Sequence, residues 1–395
     1  MAGVVIVGAG MAGAELAIAL RRLEYPDPIT VVGEEPHLPY QRPPLSKAYL
    51  GPGGQGSVPA IRPSEFYAER EIELHLEARA TSIDRERRTV TLADGRRLRY
   101  DELVLATGSR NRHLELGVER TFDLRTLDDA NQLAAELTKD AQVAIIGGGF
   151  IGLELAAAAR KRAAEVTVIE ALDRLLSRVA SPILSDFLRA EHEGHGVEIR
   201  LRQAGVAVEG EEMVLANGER LRPTLVVVGV GAIPNVGLAE TAGLAVDGGI
   251  VVDDQLRTSD PAISAIGDCA RFPCAVTGSA LRLESVQNAT DQARYVAARL
   301  TGEIGPYLAV PWFWTEQFEH RVQIAGVAPS GSDDVVRDYG EAGRFSVCRF
   351  VDDRMVAVES VGRARDHVAA RKLLAPGGPA LAPSEVTDPA IDLAA

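Results

Sequence analysis

Residues 8–13 read GAGMAG and residues 147–152 read GGGFIG, so one chain carries the spacing Gly-x-Gly-x-x-Gly twice. Each stretch follows an apolar run, VVIV at 4–7 and VAII at 143–146. Between a strand and a helix, the glycines of this pattern have separate duties. The first permits a tight turn, the second lets the backbone approach a pyrophosphate, and the third lets helix and strand pack closely. The helix that follows presents free N–H groups to the phosphates. An acidic residue roughly 20 or more positions on accepts hydrogen bonds from a ribose. Glu34, followed by Glu35, comes directly after the strand ITVVG of the first unit, and Glu170 ends VTVIE of the second. A single turn of this kind carries little weight. Two, each with its acidic residue, imply that the chain holds two dinucleotides at once.

Such turns need strands and helices of defined extent. The apolar spacing of Leu16, Ala17 and Leu20 predicts a helix over about 13–22, stopping before Pro26, and its counterpart is expected over about 151–162. Strands are expected at 4–7, 29–33, 143–146 and 166–170. The two copies stay alike further on. TVTLADGRRLRYDELVLATGS at 89–109 alternates, turns at Asp-Gly and enters an apolar strand; EMVLANGERLRPTLVVVGVG at 212–231 does the same with Asn-Gly. Alternation in RFSVCRF and RMVAVESV marks a third, strand-rich region. The expected fold class is therefore α/β: two Rossmann-like, doubly wound dinucleotide-binding domains plus a smaller α+β C-terminal domain. Residues 375–395, rich in Pro, Ala and Gly, read as a tail that drapes over the surface or is disordered.

A chain of 395 residues with 46% hydrophobic and 25% charged residues suits a soluble, multidomain globular protein. Its net charge of −14 repels nucleic acid and anionic lipid, so neither is an expected partner. Three cysteines are too few and too uneven for a secreted disulfide framework and point to a reducing compartment. The first strand starts within a few residues of Met1, and no apolar run reaches the ~20 residues of a membrane span. A cytoplasmic location is expected.

The order and spacing of GAGMAG, PYQRPPLSKAYL (39–50), LVLATGS (103–109), LRTLDDA (124–130), GGGFIGLE (147–154), TSDPAISAIGDCA (258–270), ESVQNA (284–289) and PWFWTEQ (311–317) identify a likeness over nearly the whole chain. It resembles the two-dinucleotide-binding-domain flavoproteins of glutathione-reductase-like fold. Among them it is similar to the putidaredoxin-reductase-like, NADH-dependent ferredoxin reductases that feed bacterial haem monooxygenases and ring-hydroxylating oxygenases. The resemblance implies FAD at the first cradle and NADH at the second. It implies an FAD-binding domain of 1–110 and 235–308, an NAD-binding domain of 111–234 and a C-terminal domain of 309–374. It puts Gly8, Gly10, Ala12 and Gly13 at the FAD pyrophosphate and Glu34 at its adenosine ribose. Arg42, Ala80, Thr107, Gly108, Arg125 and Gly267 line the FAD site, with Asp268 at the ribityl chain or pyrophosphate and Val286 at the pyrimidine end of the ring. NADH takes Gly147, Gly149, Ile151, Gly152, Glu170, Arg178 and Gly231. Lys47 lies beside the isoalloxazine ring, Glu154 pairs with it near the nicotinamide, and Trp314 stands near the flavin edge on the partner-facing side.

Residue chemistry bears on these roles. A cation beside a flavin stabilises the negative charge that the ring gains on reduction, whereas most lysines are simply solvated. Glu154, two residues past Gly152, falls in the first turn of the expected helix, where any carboxylate is favoured by the dipole. Glu170 binds ribose hydroxyls and repels a 2′-phosphate, which predicts NADH over NADPH; Arg174 and Arg178 are the nearby cations that could accommodate a phosphate. Cys269 and Cys274 have the C-x4-C spacing of a redox disulfide. In glutathione-reductase-type relatives that pair follows the first cradle, and here 36–60 has no cysteine, so these thiols are expected to be buried and inert. With Cys348 they also cannot supply an iron–sulfur ligand set, so any cluster belongs to the partner. That partner is expected to be an acidic [2Fe–2S] ferredoxin, bound transiently and salt-sensitively by a monomer through a local basic patch. Arg363, Arg365, Arg371 and Lys372 are one candidate patch and Arg294 another. The alternatives are a rubredoxin reductase, an NADH oxidase (whose usual early cysteine is absent) and an NADH-sensing flavoprotein that signals to a partner.

Overall fold

The structure, a computed structural model, describes residues 2–54, 58–114, 121–203, 206–209, 212–388 and 393. The chain forms two compact units. One comprises Met1–Gln41, Pro59–Arg110 and Pro234–Phe313; the other comprises Arg42–Val58, Asn111–Ile233 and Trp314–Ala395. Residues 42–58 and 314 onward thus group with the second cradle, whereas the sequence suggests an unbroken 1–110 and a separate C-terminal domain.

The first unit is built on a parallel sheet in the order Ile263–Ala265, Glu102–Leu105, Val4–Val7, Ile29–Val32, Ile72–His75. Val4–Val7 and Ile29–Val32 are buried at every position, as apolar runs covered on both faces must be. The helix Met11–Arg22 covers the sheet with Leu16, Ala17 and Leu20 and packs against the helix Val286–Leu300. Burial of Leu16, Ile18 and Leu20 contributes roughly 1.5–3 kcal/mol each. The Arg21 guanidinium ends that helix by donating to the carbonyls of Tyr25, Asp27, Arg70 and Glu71. Ala80–Asp84, Thr89–Leu92 and Arg97–Arg99 form an antiparallel sheet, with Gly95 at φ +86 in the Asp-Gly turn.

The second unit repeats the plan. Its parallel sheet runs Val197–Arg200, Glu165–Ile169, Gln142–Ile146, Leu225–Val228. Val206–Glu209, Glu212–Leu215 and Arg220–Leu221 form the matching antiparallel sheet, with Gly218 at φ +84 in its Asn-Gly turn.

Both cradle helices begin earlier than apolar spacing suggests, at Met11 and Phe150, because the second glycine of each motif is the N-cap. Gly10 and Gly149 are extended (φ −78, ψ −166 and φ −81, ψ 176), and neither carries a side-chain cap that a sequence could reveal. The strand expected at 166–170 runs Glu165–Ile169, which leaves Glu170 just past its end.

The C-terminal residues make an antiparallel sheet in the order Trp312–Gln317, His320–Gly326, Arg354–Val361, Arg344–Val351, Asp333–Glu341. The tail drapes as far as residue 388. Its helix Pro383–Thr387 buries Val386, and the buried Arg337 guanidinium donates to the carbonyls of Val386 (3.1 Å) and Asp388 (2.6 Å). The three cysteines are buried and free. Burial pushes the Cys269 thiol up, and that of Cys348 up to about 12, so neither is a ready nucleophile. Among the described residues, no helix is long and apolar enough to cross a membrane.

Candidate functional site: two cradles and a buried ion pair

In the first cradle each glycine has its own reason. Gly8 takes φ +121, and a Cβ there would lie 2.1 Å from the Ala106 carbonyl oxygen. A Cβ on Gly13 would lie 1.9 Å from the oxygen of Gly8, so helix and turn touch only because it is absent. A Cβ on Gly10 would meet nothing within 4 Å: this backbone faces open space, where a phosphate can approach it. The second cradle repeats the set. Gly147 takes φ +113 with its missing Cβ 2.3 Å from the Gly229 oxygen, Gly152 abuts the oxygen of Gly147 at 2.2 Å, and Gly149 is open. Neither helix has an acidic residue in its first turn, so both N-termini keep their positive potential. Both backbones therefore fit a dinucleotide pyrophosphate.

Several expected FAD residues gather at the C-terminal ends of the first unit's strands, where a doubly wound sheet binds its ligand. The Thr107 hydroxyl donates to the Asn235 carbonyl (2.7 Å), and Asn235 Nδ2 donates to the Thr107 carbonyl (2.9 Å). Gly108 follows at φ +64. The Ser109 hydroxyl donates to Asp268 Oδ2 (3.0 Å), which orients that carboxylate. Gly267, at φ +74, would bring a Cβ to 3.1 Å from Ala12, and its N–H donates to the buried Gln292 Oε1 (2.7 Å). Val286 opens a helix capped by Ser285, whose hydroxyl accepts from the Asn288 N–H. Glu34 is 71% exposed and lies 3.7 Å from Arg79, the residue before Ala80. Arg42, Lys47, Arg125 and Trp314 belong to the second unit instead. There Arg42 Nη1 donates to the Arg125 carbonyl (2.8 Å), while the N–H groups of Arg125 and Thr126 donate to Asp129 in a capping box.

At the second cradle Glu170 Oε2 accepts from the Gly148 N–H (2.7 Å) and Oε1 from the Leu172 N–H (2.9 Å). The carboxylate is thereby held against the glycine turn. Arg174 is committed elsewhere: its guanidinium donates to the carbonyls of Ala180 and Ser177. Arg178 Nη2 lies 3.8 Å from where a Gly231 Cβ would be, and Ile151 is exposed beside the turn.

Glu154 is a buried carboxylate held by three side chains. It is the fifth residue of its helix rather than part of the first turn, so the dipole does not explain it. Its side chain is 1% exposed and lies 2.8 Å from Lys47 Nζ, which is itself 19% exposed. Ser46 Oγ donates to Oε2 (2.5 Å) and Thr315 Oγ1 to Oε1 (2.6 Å). Behind Thr315 stand Gln317 and the buried His192. Sequence reasoning pairs Glu154 with Lys47 but misses Ser46, Thr315, Gln317 and His192. One signal was available: Thr315 and Gln317 are polar residues two apart, on one face of a strand that buries both.

The repeat equivalent of Glu154 is Glu15, also two residues past the last cradle glycine. It pairs with Arg294, whose Nη2 and Nε lie 2.7 and 3.0 Å from Oε1. Arg294 remains 57% exposed. In the other proposed patch, Arg365, Arg371 and Lys372 are exposed, but Arg363 is not an open cation: its guanidinium sits 3.5 Å above the Tyr339 ring and 3.6 Å from Asp366. Trp314 is half-buried.

Residues 2–293 match the pyridine nucleotide-disulphide oxidoreductase family, and residues 312–395 match the reductase C-terminal family. Rhodocoxin reductase of Rhodococcus erythropolis is 44% identical over 399 residues, covering 99% of this chain and 93% of that protein. The ferredoxin reductase for the CYP199A2 system from Rhodopseudomonas palustris superposes with a TM-score of 0.94 at 45% identity, covering 100% of this chain and 99% of that one. The reductase of the covalent putidaredoxin reductase–putidaredoxin complex superposes with a TM-score of 0.93 at 38% identity, covering 99% and 97%.

Proposed function

The chain belongs to the pyridine nucleotide-disulphide oxidoreductases, a family that uses FAD and NAD(P)H, and on that premise we propose that it is an NADH:ferredoxin oxidoreductase. In this reading it passes electrons from NADH through FAD, one at a time, to a [2Fe–2S] ferredoxin that feeds a haem monooxygenase or ring-hydroxylating oxygenase. The observation that carries the reading is the pair of pyrophosphate cradles, built alike and repeated in one chain. Likeness to a reductase solved in covalent complex with putidaredoxin supports the acceptor class.

Bound FAD would supply the link between a two-electron hydride donor and a one-electron iron–sulfur acceptor. The chain's own residues bind and orient. Gly8, Gly10 and Gly13, with the N-terminus of Met11–Arg22, hold the FAD pyrophosphate, and Asp268, set by Ser109, accepts from a hydroxyl of the same cofactor. Gly147, Gly149 and Gly152 hold that of NADH. Glu170 accepts from the ribose hydroxyls and repels a 2′-phosphate, and Arg174 is tied to carbonyls and cannot offset it, which favours NADH over NADPH. Lys47 is the cation beside the flavin ring, held and aimed by the buried Glu154. Trp314 faces the acceptor. No side chain needs to act as general acid or base. Three free thiols suit the cytoplasm.

Docking is transient, on a monomer, and weakened by salt. Arg294→Glu should raise the KM for ferredoxin about fivefold without slowing reduction of ferricyanide by NADH; an unchanged KM removes Arg294 from the docking surface. The whole reading is tested by mixing the yellow protein with NADH in a stopped-flow instrument and then with ferredoxins and rubredoxin. Fast bleaching followed by fast reoxidation by a [2Fe–2S] ferredoxin is expected. Preference for rubredoxin would move the assignment to that acceptor, and a long-lived bleached complex with every acceptor would favour a signalling role.

A further inference from the structure

The contacts behind Glu154 form a chain whose direction follows from elementary hydrogen-bond chemistry. An amide NH2 only donates, so the Thr315 oxygen must accept from Gln317 Nε2 (3.2 Å), and its hydroxyl is left to donate to Glu154 Oε1. That fixes the Gln317 amide and presents its Oε1 to His192 Nε2 (2.9 Å), which must carry the proton. His192 is buried, its Nδ1 has no partner, and burial holds its pKa below the usual histidine value, so the ring is neutral with the proton on Nε2. Every donor in the series points towards Glu154.

The series joins parts that are far apart in sequence. Ser46 lies 108 residues from Glu154, Thr315 lies 161 from it, and His192 lies 125 from Gln317. Packing alone does not require such an arrangement, since well-packed apolar residues often replace a buried ionic group at no loss of stability. What the network provides is a single orientation for Glu154 Oε1, the atom that holds Lys47 Nζ. The equivalent carboxylate of the first copy, Glu15, is held instead by the half-exposed Arg294. Thr315 and Gln317 also lie on the strand Trp312–Gln317, which bears Trp314.

We propose that Thr315 is a positioning residue for hydride transfer: its hydroxyl, set by Gln317 and His192, fixes Glu154, and through Glu154 it fixes the Lys47 ammonium. The inference rests on the reading of Lys47 as the cation beside the flavin. Its range is short, because a displacement of about 1 Å in a reacting constellation costs up to ~100-fold in rate.

The test uses the FAD-loaded protein with Thr315→Val, which keeps the shape and removes the hydroxyl, Thr315→Ser, which restores it, and Gln317→Leu, which frees the Thr315 hydroxyl to rotate. Single-turnover reduction by NADH is followed across NADH concentrations. Thr315→Val should slow the saturating rate about tenfold and leave half-saturation within about twofold, Thr315→Ser should return to within about twofold of wild type, and Gln317→Leu should slow the rate about threefold. A crystal structure of oxidised Thr315→Val should show Lys47 Nζ out of hydrogen-bond reach of Glu154, with the contact intact in Thr315→Ser. A Thr315→Val protein reduced at the wild-type rate, equal slowing by Val and Ser, or an undisturbed Lys47–Glu154 contact in the Val variant would overturn the inference and leave the reductase reading standing. If Thr315→Val does not fold, Gln317→Leu decides alone, and a wild-type rate there overturns it. Wild-type protein that NADH fails to bleach overturns both.

Discussion

Glu15 and Glu154 occupy the same place in the two copies of the repeat, two residues past the last cradle glycine, yet they live in different surroundings. Glu15 meets Arg294, a side chain more than half exposed on the neighbouring helix. Glu154 meets Lys47, Ser46 and Thr315 and is closed off from solvent. The glycines explain why the scaffolds agree: both turns demand φ above +100 and both third glycines abut the carbonyl of the first, so neither backbone can drift. They do not explain the carboxylates. What separates these is chain from outside the repeat, the RPPLSK segment and the strand Trp312–Gln317. On the proposed reading, a duplicated cradle supplies two binding sites of one kind, and segments from outside the repeat make one of them reactive. The energetics agree in direction. Glu15 is buried too, but its partner Arg294 is 57% exposed, and a pair open to solvent on one side contributes about 0–1 kcal/mol. Removing Lys47 would strand a buried carboxylate, at a cost of about 3–5 kcal/mol.

The comparison breaks most visibly at the glycines. Gly13→Ala should give colourless protein that no longer retains FAD, whereas Gly152→Ala should stay yellow and lose NADH binding by more than ~100-fold, because each new Cβ would meet a carbonyl at about 2 Å. Flavin absorbance per protein and NADH titration check this, and the reverse pattern would exchange the cofactors between the cradles. The carboxylates come next. Glu154→Gln should slow flavin reduction by roughly 10-fold or more, and Glu15→Gln should change it less than about twofold. Equal effects would mean that the two positions have not diverged.

A smaller difference concerns the acidic residues past each second strand. If Glu170 repels a 2′-phosphate as proposed, Glu170→Ala should lower the kcat/KM ratio of NADH to NADPH by about tenfold; Glu34→Ala should leave that ratio unchanged.

The smallest expected effect is on stability. The buried histidines among the described residues, His192 and His367, both lie in the second unit. Burial, with Arg371 and Arg321 nearby, lowers the His367 pKa to about 4 from the usual 6.5. The folded state then binds fewer protons than the unfolded state between those values. Its stabilising contribution is complete above pH 6.5 and is lost as the pH falls towards 4. From pH 7 to pH 5 the loss is about 2 kcal/mol. Thermal melts of wild type and His367→Leu should show a shallower acid decline in the variant, and parallel declines would assign the effect to other groups.

Much of the scaffold is legible in the sequence because it rests on backbone necessity. A glycine at φ +121 or +113 cannot be disguised, and a parallel strand buried on both faces reads as an unbroken apolar run. The helix starts are less legible, since Gly10 and Gly149 cap with backbone alone. The surroundings of Glu154 are the least legible. Ser46, Thr315, Gln317 and His192 are unremarkable residue types, and only the fold brings them together. Charge counting misleads in the same way: Arg174 looks available for a phosphate until its carbonyl partners are seen, and Arg363 looks like a surface cation until Tyr339 lies beneath it.

The central claim is that two like cradles hold two different dinucleotides, and a crystal structure of the oxidised, FAD-loaded protein soaked with NAD+ tests it most directly. The account predicts the flavin pyrophosphate over Gly8–Gly13 and that of NAD+ over Gly147–Gly152. Either cofactor in the other's cradle, or NAD+ bound away from both, would contradict it.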